Sequence, residues 1–340
     1  MKPIFKIIAV VLVLILLGVG IYLGWRKIIQ PSPEGPTGNG GITPPAGVGV
    51  SETTSLKKVS DNPVFDYWVY GDDIYYLGVD GRVFVAKNDT DTEVSREVFN
   101  ALNTLRPSPD GSAILVSFGD PTNPNWGVFD SRDKVWRPLN PNILNAGWGG
   151  DDETVFAVIR SGNALNLSEI DLLKPLTPKV LIRDFRLKDV DIFWKPPQAL
   201  LFAEKPSVFY SSRLWQLDLK TLTFNLLMAA EKGMVIEPAN AEGLIFKFSL
   251  PKNLSFLDVN LKSLIAESTF FTLPSKCWGS ATQVYCFEPQ IIPENAHLPD
   301  DYFQKKFRPV DDLFSLDIQK YELKKLLASN KGGRSSNRRF

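Results

Sequence analysis

Two cysteines and one histidine are the only thiol and imidazole side chains in the 340 residues. Cys277 and Cys286 flank the turn Ser280-Ala281-Thr282. If Ala281-Thr282 is a two-residue hairpin turn, Ser280 pairs with Gln283 and Cys277 falls opposite Cys286. Such a non-hydrogen-bonded pair has its Cα atoms about 4.5 Å apart, inside the range of a disulfide. The two residues are a candidate disulfide, and that bond places them in an oxidising, extracytoplasmic space. Two buried free thiols are the alternative. Zinc is a poor fit, because Cys277, Cys286 and His297 fall short of four ligands. No metal or cofactor is expected.

His297 is the one imidazole that could act as a base. It lies beside Glu294, Asp300 and Asp301 in a long loop, Gln290–Pro309. A solvent-exposed loop histidine is the simpler reading. No Gly-x-Ser-x-Gly occurs, so the nucleophile elbow of an α/β-hydrolase is absent from these residues. Asp89-Thr90-Asp91-Thr92-Glu93 alternates acidic oxygens as a calcium loop does, but lacks the central glycine and the distant bidentate glutamate. It reads as a solvated turn. No catalytic residue is assigned. His297, Asp300, Asp301, Tyr302 and Phe303 form a candidate binding loop instead.

The elements that position these residues follow from charge and periodicity. Acidic and basic residues number 38 each. That balance supplies no basic excess for nucleic acid, and none is expected as a partner. A hydrophobic content of 44% is too high for a disordered chain and too low for a polytopic membrane protein.

Ile7 to Trp25 is a run of 19 residues without a charge. As a helix it spans about 28 Å, close to the hydrocarbon thickness of a bilayer. Lys2 and Lys6 flank it on one side, Arg26 and Lys27 on the other, and Tyr22 and Trp25 sit at the interfacial level. Residues 1–30 therefore read as a single transmembrane anchor. A cleaved signal peptide ending near Gly18-Val19-Gly20 is the second reading. Residues 31–56 read as a flexible linker: Pro31 to Ser51 holds five prolines and six glycines in 21 residues. The expected location is the cytoplasmic membrane, single-pass, with the large domain outside the cytoplasm.

From Val59 one pattern recurs. A turn, an apolar strand, a loop and a strand ending in aliphatic-Asp-aliphatic follow one another. The turns are centred on Asp72, Asp110, Asp151, Pro197, Glu242 and Ala281, spaced by 38 to 46 residues. Trp148, Trp194 and Trp278 each stand just before a turn, at the same place in the pattern. The aspartates are Asp130, Asp171, Asp218, Asp258 and Asp317. They are expected to accept backbone N–H bonds in the following turn. A period near forty with four short strands marks a β-propeller blade. One such sheet cannot bury both faces alone, and radial stacking buries them. Six units follow: 57–100, 101–140, 141–183, 184–228, 229–270 and 271–328, the last carrying the 290–309 insertion.

This pattern resembles the TolB-type and WD-repeat-like propellers, in which a Pro-Asp-Gly hairpin recurs once per blade. Ser108-Pro109-Asp110-Gly111 keeps the full motif in the second unit only. The resemblance covers residues 57–328. The chain also looks like uncharacterised, singly anchored bacterial propeller proteins, through Cys277-Trp278, Tyr285-Cys286 and Pro299-Asp300-Asp301-Tyr302. In those another repeat usually follows. Residues 329–340 are instead a basic tail without strand pattern, expected to be disordered. Six blades, a seventh, or ring closure by the N-terminal segment all remain open at this level.

The expected protein is all-β, a propeller of about six four-stranded blades, and a monomer. Its expected function is non-catalytic, binding another protein or an envelope component. The alternative is an envelope hydrolase or lyase using acidic residues in the propeller channel.

Overall fold

A computed structural model describes residues 58–328, apart from 88–89, 240–242, 252–253 and 266–269. The expected anchor, linker and basic tail lie outside the described residues, so their assignments are neither supported nor opposed. Among the described residues no helix is long and apolar enough to cross a membrane.

The chain forms six antiparallel sheets, each built from consecutive strands. The first blade holds β1 (Val64–Tyr70), β2 (Asp73–Gly78), β3 (Val83–Lys87) and β4 (Thr90–Ser95). The second holds β5 (Leu102–Pro107), β6 (Ala113–Phe118), β7 (Asn125–Asp130) and β8 (Val135–Pro138). The third holds β9 (Ile143–Trp148), β10 (Thr154–Ser161), β11 (Ala164–Asp171) and β12 (Lys179–Ile182). The fourth holds β13 (Val190–Lys195), β14 (Ala199–Glu204), β15 (Ser211–Asp218) and β16 (Thr223–Lys232). The fifth holds β17 (Val235–Pro238), β18 (Ile245–Phe248) and β19 (Ser255–Leu257). The sixth holds β20 (Cys277–Gly279), β21 (Gln283–Pro289), β22 (Asp311–Asp317) and β23 (Glu322–Leu327).

Five blades have the expected four strands. The fifth has three, and its fourth position is a single bridge, Leu257 to Ser263. The turn between them is held by Asp258, whose Oδ1 accepts the N–H groups of Asn260 and Lys262. Asp130, Asp171, Asp218 and Asp317 take the same role, each accepting the N–H two residues on. The recurring aspartate is thus a turn-former.

Burial separates the strand positions. Second strands are sandwiched between neighbouring blades, so they are apolar on both faces: Leu200, Leu201 and Phe202 of β14 are all buried. The fourth strand β16 has only exposed and half-buried residues, as an outer edge does. Five clusters join neighbouring blades. Leu77 and Ile114 belong to the first joint, Leu115 and Val155 to the second, Phe156 and Phe202 to the third, Leu201 and Ile236 to the fourth, and Phe256 and Val284 to the fifth. A fully buried side chain of this kind is worth about 1.5–3 kcal/mol. These joints therefore dominate the stability of the ring. The faces turned to one another across the remaining joint, between the sixth and first blades, share no such cluster among the described residues. Tyr76, Phe84 and Ala86 of the first blade form a small cluster of their own there.

Candidate functional site

The first strand of each sheet lies nearest the axis, and it carries the charges that meet there. Glu237 of β17 feels the charges of Arg106 in β5, Asp191 in β13 and Asp66 in β1. Those residues come from four different blades, so Glu237 faces the axial channel. Burial pushes its carboxyl up to about 7, Arg106 opposes the rise, and Asp191 and Asp66 add to it. Asp66 is likewise raised by burial, against one backbone N–H from Tyr67.

Asp191 moves the other way. Burial would raise it, but Lys205 and Arg106 together outweigh burial and hold it below the usual carboxylate range. The Lys205 ammonium is 2.7 Å from Asp191 Oδ1, and the Arg106 guanidinium binds the same oxygen. Arg106 also donates to the carbonyls of Ala146 (3.0 Å) and Ile192 (3.3 Å), and lies 5.3 Å from the centroid of the Phe193 ring. One arginine thereby ties the inner strands of the second, third and fourth blades. The Trp148 indole adds to that tie by donating to the Arg106 carbonyl at 2.7 Å.

The turns joining first and second strands lie on one face of the ring. The loops joining second to third strands lie on the other. The 290–309 insertion is such a loop in the sixth blade. It folds back over its own face of the ring. Leu298 is buried, and Tyr302 and Phe307 pack into the cluster between the fifth and sixth blades. A short helix, α1 (Asp300–Phe303), is pinned at its start. Asp300 Oδ2 accepts the N–H of Val208, from the β14–β15 loop, at 2.7 Å. The His297 ring lies 5.6 Å from the Phe209 ring of that same loop. The Lys305 ammonium sits 5.5 Å from the Phe65 ring in the first blade. The segment is a cap held by the fourth and first blades as well as its own.

The five predicted loop residues divide accordingly. Asp301 is buried: it accepts the His297 N–H at 2.8 Å and the Lys306 ammonium at 2.5 Å, and those contacts lower its pKa. Its role is to shape the cap. Tyr302 turns inward, with Lys276 Nζ 5.4 Å from its ring, and burial raises its hydroxyl pKa. Asp311 and Glu237 add to that rise. Lys276 in turn bonds Asp311 at 2.5 Å. Asp300 anchors the cap. Only His297 and Phe303 remain exposed. Phe209, whose ring lies against His297, is 71% exposed, and its neighbour Tyr210 is 56% exposed; Phe303 of the cap is 46% exposed.

Cys277 pairs directly with Cys286 across β20 and β21, with Cα atoms 4.2 Å apart and the sulfurs bonded. Among the described residues no three His, Cys, Asp or Glu side chains are grouped to hold a metal ion. On the opposite face a groove of about 540 Å³ lies between the third and fourth blades, lined by Gly150, Asp151, Trp194 and Lys220.

Asp66, Arg106, Asp191 and Glu237 did not stand out in the sequence. A signal was present. Each is a lone charge between apolar residues in a first strand, as in Leu105-Arg106-Pro107 and Val190-Asp191-Ile192. Nothing in a single strand says that four of these converge.

No family model matches the chain, and no curated protein matches it in sequence. Solved structures do match. An uncharacterized protein of Listeria monocytogenes aligns at 13% identity with a TM-score of 0.51, covering 81% of this chain and 85% of that one. The β-propeller domain of the Trilobed protease from Pyrococcus furiosus, described as having an open velcro topology, aligns at 12% identity and a TM-score of 0.51, covering 78% and 83%. An oligogalacturonate lyase in complex with manganese aligns at 11% identity and a TM-score of 0.52, covering 80% and 81%. TolB from Acinetobacter baumannii matches over 59% of this chain with a TM-score of 0.39. Identities this low show a shared propeller fold and nothing finer.

Proposed function

We propose that this chain is a binding propeller, monomeric and anchored by Ile7–Trp25, that displays its capped face outside the cytoplasm to hold another protein or an envelope component. The observation that carries the reading is the exposure of Phe209, held against His297, with Tyr210 beside it in sequence and Phe303 exposed on the cap. Exposed aromatics of this size on a fixed support are typical anchors of recognition surfaces. The bonded Cys277 and Cys286 support the location, since such bonds persist in oxidising compartments.

The test is retention of envelope components on the immobilised full chain. The reading expects a component held by the native chain and lost by Phe209→Ala/Phe303→Ala. Equal retention by that variant, or no specific retention at any salt, would sink it.

A second reading is an envelope hydrolase or lyase acting in the channel. One observation favours it: Glu237 is raised to about 7 while Asp191 is held low. Two carboxyls pushed apart in this way can serve as acid and base. One feature weighs against it: Asp191 is already neutralised by Arg106 and Lys205. Loss of an envelope-degrading activity in Glu237→Gln would favour this reading over the first.

A further inference from the structure

The groove between the third and fourth blades is left open where the preceding joint is bridged. Between the second and third blades, Arg132 reaches across the same face and bonds Asp130 (3.1 Å) and Asp152 (2.7 Å). Leu173 stands two residues after Asp171, as Arg132 stands two after Asp130, and it is 66% exposed. The indoles differ in the same way. Trp148 donates to the Arg106 carbonyl at 2.7 Å, and Trp215 to Glu204 at 2.9 Å. Trp194 holds in β13 the place that Trp148 holds in β9. Yet among the described residues no group accepts from its Nε1–H.

Trp194 is half-buried and lines the groove. Its ring plane lies within 11° of that of Phe156, with centroids 6.4 Å apart. A Cβ on Gly150 would lie 2.7–2.9 Å from three indole atoms, so the ring fits here only because residue 150 has no side chain. Around it stand Asp151, Glu169, Gln198 and Lys220. The two carboxylates are engaged. Asp151 accepts the N–H groups of Glu153 and Thr154, and Glu169 pairs with Lys179 at 3.1 Å. The Lys220 ammonium feels the charge of Asp218 but bonds no carboxylate among the described residues. Charges of both signs therefore meet around the groove, and it does not select an ion by its sign.

We propose that this groove binds a neutral, equatorially substituted pyranose unit of a β-linked glycan, with one C–H face of the ring seated on Trp194. The axial C–H bonds of such a ring carry partial positive charge and meet the negative face of the indole. Hydroxyls both donate and accept, so they suit a rim where an ammonium, an amide and carboxylates stand together. One sugar oxygen accepts from Trp194 Nε1–H and another from Lys220 Nζ, while the Gln198 amide takes either role. An extended peptide needs a strand edge to pair with, and this groove is lined by turns and strand ends. Its volume of about 540 Å³ falls in the range of small-molecule sites, roughly 300–1,000 Å³. The site lies on the face opposite the cap, so it stands or falls independently of the binding surface around Phe209.

The experiment is saturation-transfer difference NMR of the full chain with cellotriose and, separately, with tri-N-acetylchitotriose. At least one of them is expected to take up saturation, concentrated on the protons of a single ring face. Gln198→Ala/Lys220→Ala changes two exposed positions and should weaken binding about three- to tenfold, the worth of one or two hydrogen bonds. Trp194→Phe keeps a ring and removes the N–H, so a loss of about threefold with the one-face pattern retained is expected. Phe209→Ala/Phe303→Ala should bind as the native chain does. Saturation of neither sugar, saturation spread over both ring faces, or unchanged affinity in Gln198→Ala/Lys220→Ala would overturn the proposal. Loss of binding in Phe209→Ala/Phe303→Ala would move the sugar to the capped face and overturn it too.

Discussion

Arg106 and Asp191 bond across the inner wall of the ring, although they belong to the second and fourth blades and lie 85 residues apart in sequence. The third blade passes between them, and its Ala146 carbonyl accepts from the same guanidinium. A bidentate or multiply bonded arginine is well suited to such a role, because its donors are fixed in one plane. Lysine at this position would reach fewer of the acceptors.

Arg106→Leu removes a largely buried partner while leaving Asp191 with Lys205 alone. Breaking a buried pair of this kind costs roughly 3 kcal/mol. The expected result is that much loss in urea unfolding of the full chain, with Asp191→Asn/Arg106→Leu recovering part of it. Native stability in the single variant would show that the tie across the three blades is incidental.

Glu237 makes stability depend on pH. Its folded pKa, about 7, lies above the ordinary 4.5. The fold therefore holds the proton more tightly than the unfolded chain does. The stabilising contribution is complete below about pH 4.5, declines as pH rises, and is lost above about pH 7. By linkage its size is on the order of 3 kcal/mol. Glu237→Gln keeps a neutral group at every pH. The variant is expected to match the native chain near pH 4 and to exceed it near pH 8, read from unfolding midpoints. Parallel curves would place the carboxyl in bulk water instead.

Cys277→Ser/Cys286→Ser opens a loop of sequence separation 9. The chain-entropy estimate for so short a loop is about 2.5 kcal/mol. That loss is expected in denaturant unfolding. In intact cells a membrane-impermeant maleimide is expected to label the native chain only after reduction. Labelling that requires lysis would contradict the extracytoplasmic location.

Asp300→Ala cuts the bond to the Val208 N–H and frees the cap from the fourth blade. A single hydrogen bond to a carboxylate is worth about 1.5–3 kcal/mol locally. Hydrogen exchange should rise in residues 297–306 and stay unchanged in β14 and β21. Exchange that rises throughout the sixth blade would mean the insertion is part of the blade core, not a separate cap.

Much of this was legible before any coordinates. The forty-residue period, the turn-forming aspartates and the hairpin parity that sets Cys277 opposite Cys286 are all local. Each depends on a few neighbouring residues and the two-residue repeat of a strand. The insertion was visible as excess length, but its direction was not. Whether Asp300 projects or anchors the cap depends on Val208 being in reach, and Val208 is 92 residues away in sequence.

Trp278 shows the limit most clearly. It stands before its turn as Trp148 and Trp194 do, and the pattern assigned all three one place. The strand after it puts Val284 and Cys286 against the fifth blade, so pleating turns Trp278 to the other side. The sequence by itself determined the repeat period, where the turns fall and which cysteines meet, because those are matters of period and short range. Only the tertiary structure decided which charges share the axis, where the insertion lies and which blades share a core cluster among the described residues, because each is a meeting of residues from different blades and no single repeat encodes its neighbours.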